Sequence, residues 1–418
     1  MISTILYNFG IYVYILGVFV ASLFNRKARH MVRGHYATFR KLRAQVDPDA
    51  RYIWFHASSL GEFEQGRPLL ERYRRECPEY KILLTFFSPS GYEVRKDYKD
   101  ADIVCYMPFD TPGNVAAFFS LVKPVALFLI KYEFWCNFLV GCDHRGIPVY
   151  SVSSIFRPEK IFFRWYGWSY ASALRRRITH FFVQDQQSAD LLGSIGIKDN
   201  VSVVGDTRFD RVLDIRHQAK ELPLVQRFKG EHITFVAGSS WAPDEDLIIP
   251  YFNNHPNLKL ILAPHVIDES HLRQIEGKLQ RSFARYTDVQ SGAVSPESVD
   301  CLIVNCYGLL SSIYRYGEIA YVGGGFGVGI HNVPEAAVYG IPVLFGPNNK
   351  GFREAQDLLK LGGCFEITDQ PVFNASVDRL VTEERYRLRR GAVGRRYIES
   401  NAGAADAIFK RVGTNFKR

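Results

Sequence analysis

From Tyr52 onward short apolar runs alternate with helix-length amphipathic segments, and that rhythm admits few folds. Residues 52–57, 81–87, 103–108, 125–130, 148–153, 179–184 and 201–204 read as buried strands, with stretches such as 63–75 and 114–122 between them. Strand–helix repetition predicts an α/β protein, a parallel sheet covered by helices on both faces. Residues 208–231 are polar and lack the pattern, and then the rhythm restarts at 232–237, 258–263, 301–304, 319–322 and 341–345. A chain of 418 residues exceeds what one core organises. Two Rossmann-like domains are therefore expected, over 51–215 and 216–418, with the last basic stretch, 384–417, placed to pack back across the first. Disorder is excluded, because 47% of the residues are apolar and 14% aromatic.

Ahead of the first strand, residues 5–24 carry no charge and as a helix would measure about 30 Å, the thickness of a bilayer core. The segment 26–51 then holds eight basic residues against two acidic ones, +6 of the chain's net +9. A cleaved signal peptide has its basic residues before the apolar run, and here they follow it. Residues 1–24 are expected to form a membrane anchor helix and 25–50 a basic juxtamembrane segment drawn to anionic headgroups, with the body cytoplasmic, at the plasma membrane. A buried or surface-lying helix, with Tyr7, Tyr12 and Tyr14 at its polar edge, is the other reading. Charge gathered directly after an apolar helix argues for a membrane surface and against nucleic acid as the partner. The seven cysteines form no CxxC pair and no zinc spacing, so they read as buried thiols of a reducing compartment.

In open parallel sheets ligands bind beyond the carboxyl ends of the strands, so motifs there carry the most weight. The first strand ends in Ser58-Ser59-Leu60-Gly61-Glu62, which puts a carboxylate at the start of a helix; complementing the helix dipole is its ordinary reading. Lys131-Tyr132-Glu133-Phe134-Trp135 crowds charge and aromatics at another strand end. Gly238-Ser239-Ser240 precedes Pro243-Asp244-Glu245-Asp246, and small residues at a helix amino terminus suit a phosphate. Asp244-x-Asp246 also matches a short metal-binding DxD pattern, but two acids in a first helical turn are expected for dipole reasons alone. The segment Gly323 to Glu335 is glycine-rich and ends in His331-Asn332-Val333-Pro334-Glu335, where Glu335 suits a ribose hydroxyl. It fits no dinucleotide fingerprint in any register.

Taken in order, these motifs, with Ser88-Pro89-Ser90-Gly91, Pro108-Phe109-Asp110 and Gly205-Asp206-Thr207-Arg208-Phe209-Asp210, resemble the Kdo transferases, which add 3-deoxy-D-manno-oct-2-ulosonic acid to lipid A. The resemblance implies a GT-B fold with two Rossmann-like domains facing an interdomain cleft. It implies CMP-Kdo as donor substrate, a lipid A precursor as acceptor, an anionic membrane surface as partner, and neither cofactor nor metal. It makes Glu62 the general base and Arg208 the cation for the departing phosphate, with Lys131 and Glu133 beside them. Donor contacts fall on Gly238, Ser239, Ser240, Pro264, His265, Tyr307, Gly308, Leu309, His331, Asn332, Val333, Pro334 and Glu335. Acceptor contacts fall on Ser58, Ser59, Gly61, Ser88, Ser90, Gly91 and Arg157, with Arg175 to Arg177 as weaker candidates. Three positions depart from the family: Lys131 stands where its first acid is usual, His265 replaces an Arg and Leu309 a Glu. A GT-B enzyme using a UDP- or GDP-sugar, or a non-catalytic glycolipid-binding module, stays open on the residues alone.

Overall fold

The structure, a computed structural model, describes residues 2–414 and residue 416. Met1, Asn415, Lys417 and Arg418, at the ends of the expected anchor and of the terminal basic stretch, lie outside the described residues. The chain forms two compact units, Met1–Arg211 with Ala402–Arg418, and Val212–Asn401.

The first unit is built on seven strands: β1 Tyr52–Ala57, β2 Lys81–Phe86, β3 Ile103–Tyr106, β4 Pro124–Ile130, β5 Val149–Ser154, β6 His180–Val183 and β7 Val201–Val203. They lie in the order β3-β2-β1-β4-β5-β6-β7, every neighbouring pair parallel. Nearly unbroken apolar runs form these strands because helices cover both faces. Trp54 is fully buried 4.7 Å from the Phe118 ring, and its indole N–H donates to Thr85 Oγ1 at 2.8 Å. Strand order reverses between β1 and β4, so the connections leaving them turn to opposite sides and open a crevice at their carboxyl ends.

Helix α1, Ile2–Phe24, is long and apolar enough to cross a membrane by length and composition. It does not project from the unit. Tyr7 donates its hydroxyl proton to Asp110 Oδ2 at 2.6 Å and accepts from the Cys136 N–H at 3.2 Å, and Asn137 donates to Asn8 at 2.8 Å. Tyr14 stacks on Phe87 at 6.3 Å. The opposite side, with Leu6, Phe9, Val13, Leu16, Val20 and Leu23, is exposed and apolar. Residues 26–45, expected as a juxtamembrane segment, form helix α2, Arg26–Gln45, which buries His35, Thr38 and Leu42 and turns Arg26, Arg33, Arg40 and Arg43 outward. The chain's end returns here as helix Ala404–Val412, capped by Asp210, which accepts from the Gly403 and Ala405 N–H groups at 2.7 and 3.1 Å. The terminal basic stretch is thus divided, since helix Glu384–Asn401 belongs to the second unit.

The second unit has β8 Ile233–Ser240, β9 Leu258–Pro264, β10 Phe283–Arg285, β11 Cys301–Ile303, β12 Ile319–Val322, β13 Val343–Phe345 and β14 Cys364–Glu366. Their order is β10-β11-β9-β8-β12-β13-β14, again wholly parallel, and the reversal lies between β8 and β12. β10 and β14 are edge strands of three residues that the apolar pattern does not announce. All seven cysteines are free thiols, and five are buried.

Candidate active site

In the first unit the strand reversal brings two carboxylates together. β1 and β4 run side by side, His56 opposite Leu129, so the segments leaving them, Ser58–Glu62 and Lys131–Glu133, emerge next to each other. Helix α3, Leu60–Glu76, starts with Ser59 as cap, its hydroxyl accepting from the Glu62 N–H at 3.5 Å. Glu62 folds back over that start, and its Oε2 accepts from the Ser58 N–H at 2.6 Å. Burial holds Glu62 above the usual carboxylate range, against the Ser58 N–H, the Lys131 ammonium and the Ser59 cap. Burial, and next the charge of Glu62, push Glu133 up to about 7, opposed by Trp135, Lys131 and Ser58. Two like charges at one strand end do not ionise independently, and Lys131 is the cation both feel.

The turn carrying Lys131 and Glu133 is held on both sides. Lys131 has φ +63°, a left-handed conformation costing a non-glycine residue roughly 1–2 kcal/mol. Its carbonyl accepts from the Ser151 and Ser154 hydroxyls at 3.0 and 2.6 Å, and its N–H donates to Val152 O at 2.8 Å. On the far side Asp110, buried, accepts from the Asn137 and Phe138 N–H groups at 3.0 and 2.9 Å and anchors helix Cys136–Asp143. Trp135 packs on Phe87 at 4.5 Å. Strain held this firmly at a strand end is a mark of a functional turn.

The remaining first-unit candidates separate by environment. Arg208 is exposed in the first turn of helix Thr207–His217, and buried Asp206 accepts from its Nε at 2.8 Å, which fixes the guanidinium. The Ser88 N–H donates to Ser58 O at 2.8 Å, bringing that turn beside Glu62, and the Ser88 and Ser90 hydroxyls bond each other at 2.6 Å. Gly61 faces open space. Gly91 does not: a Cβ there would meet the Phe86 ring at 2.2 Å, so packing requires a glycine at this position. Arg157, Arg175 and Arg176 are exposed, and Arg177 pairs with Asp143 at 3.5 Å.

In the second unit the reversal between β8 and β12 gathers a different set. Trp241, directly after β8, stacks on His265 at 4.7 Å, and His265 stacks on His331 at 4.4 Å. The Trp241 indole N–H donates to His331 Nε2 at 3.2 Å, which leaves the proton of neutral His331 on Nδ1. Burial and neighbouring His265 lower the pKa of His331. The glycine-rich segment is tied down: a Cβ on Gly323 would meet Ser239 O at 2.2 Å, and one on Gly325 would meet the Gly346 backbone at 2.6 Å. The Asn332 side chain donates to Glu335 at 2.7 Å. Tyr307 and Gly308 are exposed and Leu309 half-buried on the turn after β11, and Pro264 closes β9. Val333 and Pro334 are buried at the start of the short helix Val333–Ala337.

The sequence expects a phosphate at Gly238, Ser239 and Ser240. These residues complete β8, and the helix that follows, Ala242–Asn253, is already served by its own acids. Buried Asp244 accepts from the Trp241 and Gly324 N–H groups, each at 2.9 Å, and from the Tyr321 hydroxyl at 2.8 Å. Ser240 donates to fully buried Glu245, and Gly238 is covered by the Tyr314 hydroxyl. Asp246 turns away to Lys278 at 2.7 Å, so the DxD acids do not converge. Trp241 is the residue that sequence reasoning passed over, and Asp110, read there only as part of a motif, gains its role from the structure. An indole immediately after a strand-ending Gly-Ser-Ser was the available signal for the first.

Residues 30–211 match the family described as 3-deoxy-D-manno-octulosonic-acid transferase (kdotransferase). The chain is 30% identical over 325 residues to a 3-deoxy-D-manno-octulosonic acid transferase of Aquifex aeolicus, covering 76% of this chain and 82% of that one. It is 23% identical over 377 residues to the enzyme of the same description from Haemophilus influenzae, covering 87% and 86%. Among solved structures, UDP-GlcNAc 2-epimerase from Neisseria meningitidis superposes with a TM-score of 0.60 at 13% identity, over 87% of this chain and 100% of that one. That likeness concerns the fold.

Proposed function

The chain belongs to the 3-deoxy-D-manno-octulosonic-acid transferase family, and from that premise we propose that it transfers Kdo from CMP-Kdo to a lipid A precursor with inversion. The observation that carries this reading is the Glu62–Glu133 pair with Lys131 at the joint end of β1 and β4. The acceptor hydroxyl oxygen forms the bond to the anomeric carbon, the bond from that carbon to the CMP phosphate oxygen breaks, and CMP leaves. The hydroxyl proton goes to Glu62. A base at work near neutral pH is better for standing above the ordinary carboxylate range, where burial puts Glu62, with the Lys131 ammonium acting against that rise. Glu133, half-protonated near pH 7, completes the pair, and Arg208 is the cation assigned to the leaving phosphate.

On the donor side the reading takes His265, His331, the exposed turn Tyr307–Gly308 and the Asn332–Glu335 pair as nucleotide contacts, the last for the ribose. CMP-Kdo is a substrate. No cofactor is assigned, and no metal step is routed through Asp244 and Asp246, which are committed to separate partners. Helix α1 is read as an anchor lying in the membrane interface: its Tyr7 and Asn8 side is bonded to the protein while its apolar side is open, and the basic face of α2 adds attraction to anionic lipid on the cytoplasmic surface.

Glu62→Gln tests the central assignment. Transfer from CMP-Kdo to lipid IV-A, followed by mass, is expected to fall by at least about 100-fold while CMP-Kdo still binds. Full activity would remove Glu62 from the chemistry, and turnover of a UDP-sugar without response to CMP would replace the donor.

A further inference from the structure

We propose that a cavity of the second unit, between helices Gln370–Thr382 and Glu384–Asn401, is a binding site for a phosphate-type anion. The cavity measures about 560 Å³, and its walls include Arg379, Arg389, Arg390 and Arg396 around the ring of Tyr386. Positive charge is concentrated here. Residues 379–396 hold seven arginines against two glutamates, +5 within a body from Tyr52 to the end that carries +3 in total, so the rest of that body is net negative.

The arginines are placed by the fold rather than left as solvated ends. Tyr386 is buried, and the Arg379 and Arg390 guanidinium carbons lie 3.8 and 4.8 Å from its ring centroid. Arg390 is also held by Gly362 O at 3.3 Å, and Arg389 Nε donates to Arg385 O at 3.3 Å. Arg387, one position over, is buried and spent on the carbonyls of Leu380 and Val381, closing the turn between the helices. Of the four wall arginines, only Arg379 has a carboxylate among the described residues, Glu383 at 3.1 Å. Arg389, Arg390 and Arg396 have none. Four guanidiniums around one cavity repel one another, and the ligand that relieves this has several oxygens carrying more than one negative charge. A phosphomonoester or pyrophosphate meets that need, and a single carboxylate offers only two oxygens. The site is distinct from every residue assigned to CMP-Kdo, and the inference does not rest on the transferase reading.

The probe is inorganic pyrophosphate, titrated calorimetrically into the full-length protein with saturating CMP present and ionic strength fixed. Arg389 and Arg396 are exposed, so Arg389→Gln/Arg396→Gln is expected to fold and melt like the parent. The parent is expected to bind one pyrophosphate per chain saturably. The double variant should bind at least about tenfold more weakly, since two charge-assisted bonds are lost. Arg385→Gln, exposed on the same helix but outside the cavity, should bind as the parent does. Absence of saturable binding, or an equal loss in Arg385→Gln, would overturn the proposal in favour of diffuse surface charge. Vesicles containing phosphatidate or phosphatidylglycerol at equal surface charge identify the source. A preference for phosphatidate that the double variant loses assigns a lipid phosphomonoester; pyrophosphate binding with no such preference assigns a soluble phosphate.

Discussion

Glu133 offers a quantitative test of the paired carboxylates through stability rather than activity. Its carboxyl rises from the ordinary 4.5 to about 7 on folding, so between those values the folded chain holds a proton that the unfolded chain has released. Stability must then fall as the pH rises through this window, and the loss is complete above pH 7. The gap corresponds to about 3 kcal/mol. Glu133→Gln carries a neutral side chain of the same shape at every pH and escapes this penalty. The stability difference between variant and parent, taken from urea unfolding at matched pH, is therefore expected to grow in the variant's favour by about 3 kcal/mol from pH 4.5 to 8, other titrations cancelling in the difference. Glu62→Gln removes the like charge that contributes to the rise, so the loss should shrink and be complete at lower pH in that background. A difference that stays flat from pH 5 to 8 would mean that Glu133 is neither buried nor coupled to Glu62, and the pair would cease to be the centre of the site.

Gly323→Ala would force a Cβ to 2.2 Å from Ser239 O, backbone against backbone, and is expected to abolish CMP binding and lower the melting temperature; Gly61→Ala, which faces open space, should leave the melting temperature unchanged. Asp110→Ala strands the Tyr7 hydroxyl and two N–H groups of helix Cys136–Asp143, and should cost roughly 3 kcal/mol and expose α1 to protease; resistance equal to the parent's would show that α1 is held by other contacts. Leu16→Asp with Val20→Asp places charges on the open face of α1 and should release the protein from anionic vesicles without changing its melting temperature.

How far the sequence reveals this arrangement depends on whether the deciding interaction is local. Strands such as β1 and β4 are legible because burial on both faces demands an unbroken apolar run, and that run is visible without knowing its neighbours. β10 and β14 are not, because edge strands of three residues with one exposed end need no such run. The same division holds in the site. Glu62 is found from its own helix start, and Glu133 from its own strand end. Their coupling is invisible in the chain, because about seventy residues and two further strands intervene before β4 returns to β1.

Asp244 and Glu245 show the opposite failure. As a local pattern they are unremarkable acids in a first helical turn, and a dipole argument places them in solvent. In the structure both are buried, and Asp244 spends its oxygens on Trp241, three residues back, and on Gly324 and Tyr321, which are reached only after β8 and β12 have paired. A buried carboxylate with three donors does what a bound phosphate was expected to do at that turn. The glycine-rich segment is thereby fixed to the start of the neighbouring helix by a carboxylate of the chain itself, and on the proposed reading the nucleotide is left to His265, His331 and Glu335.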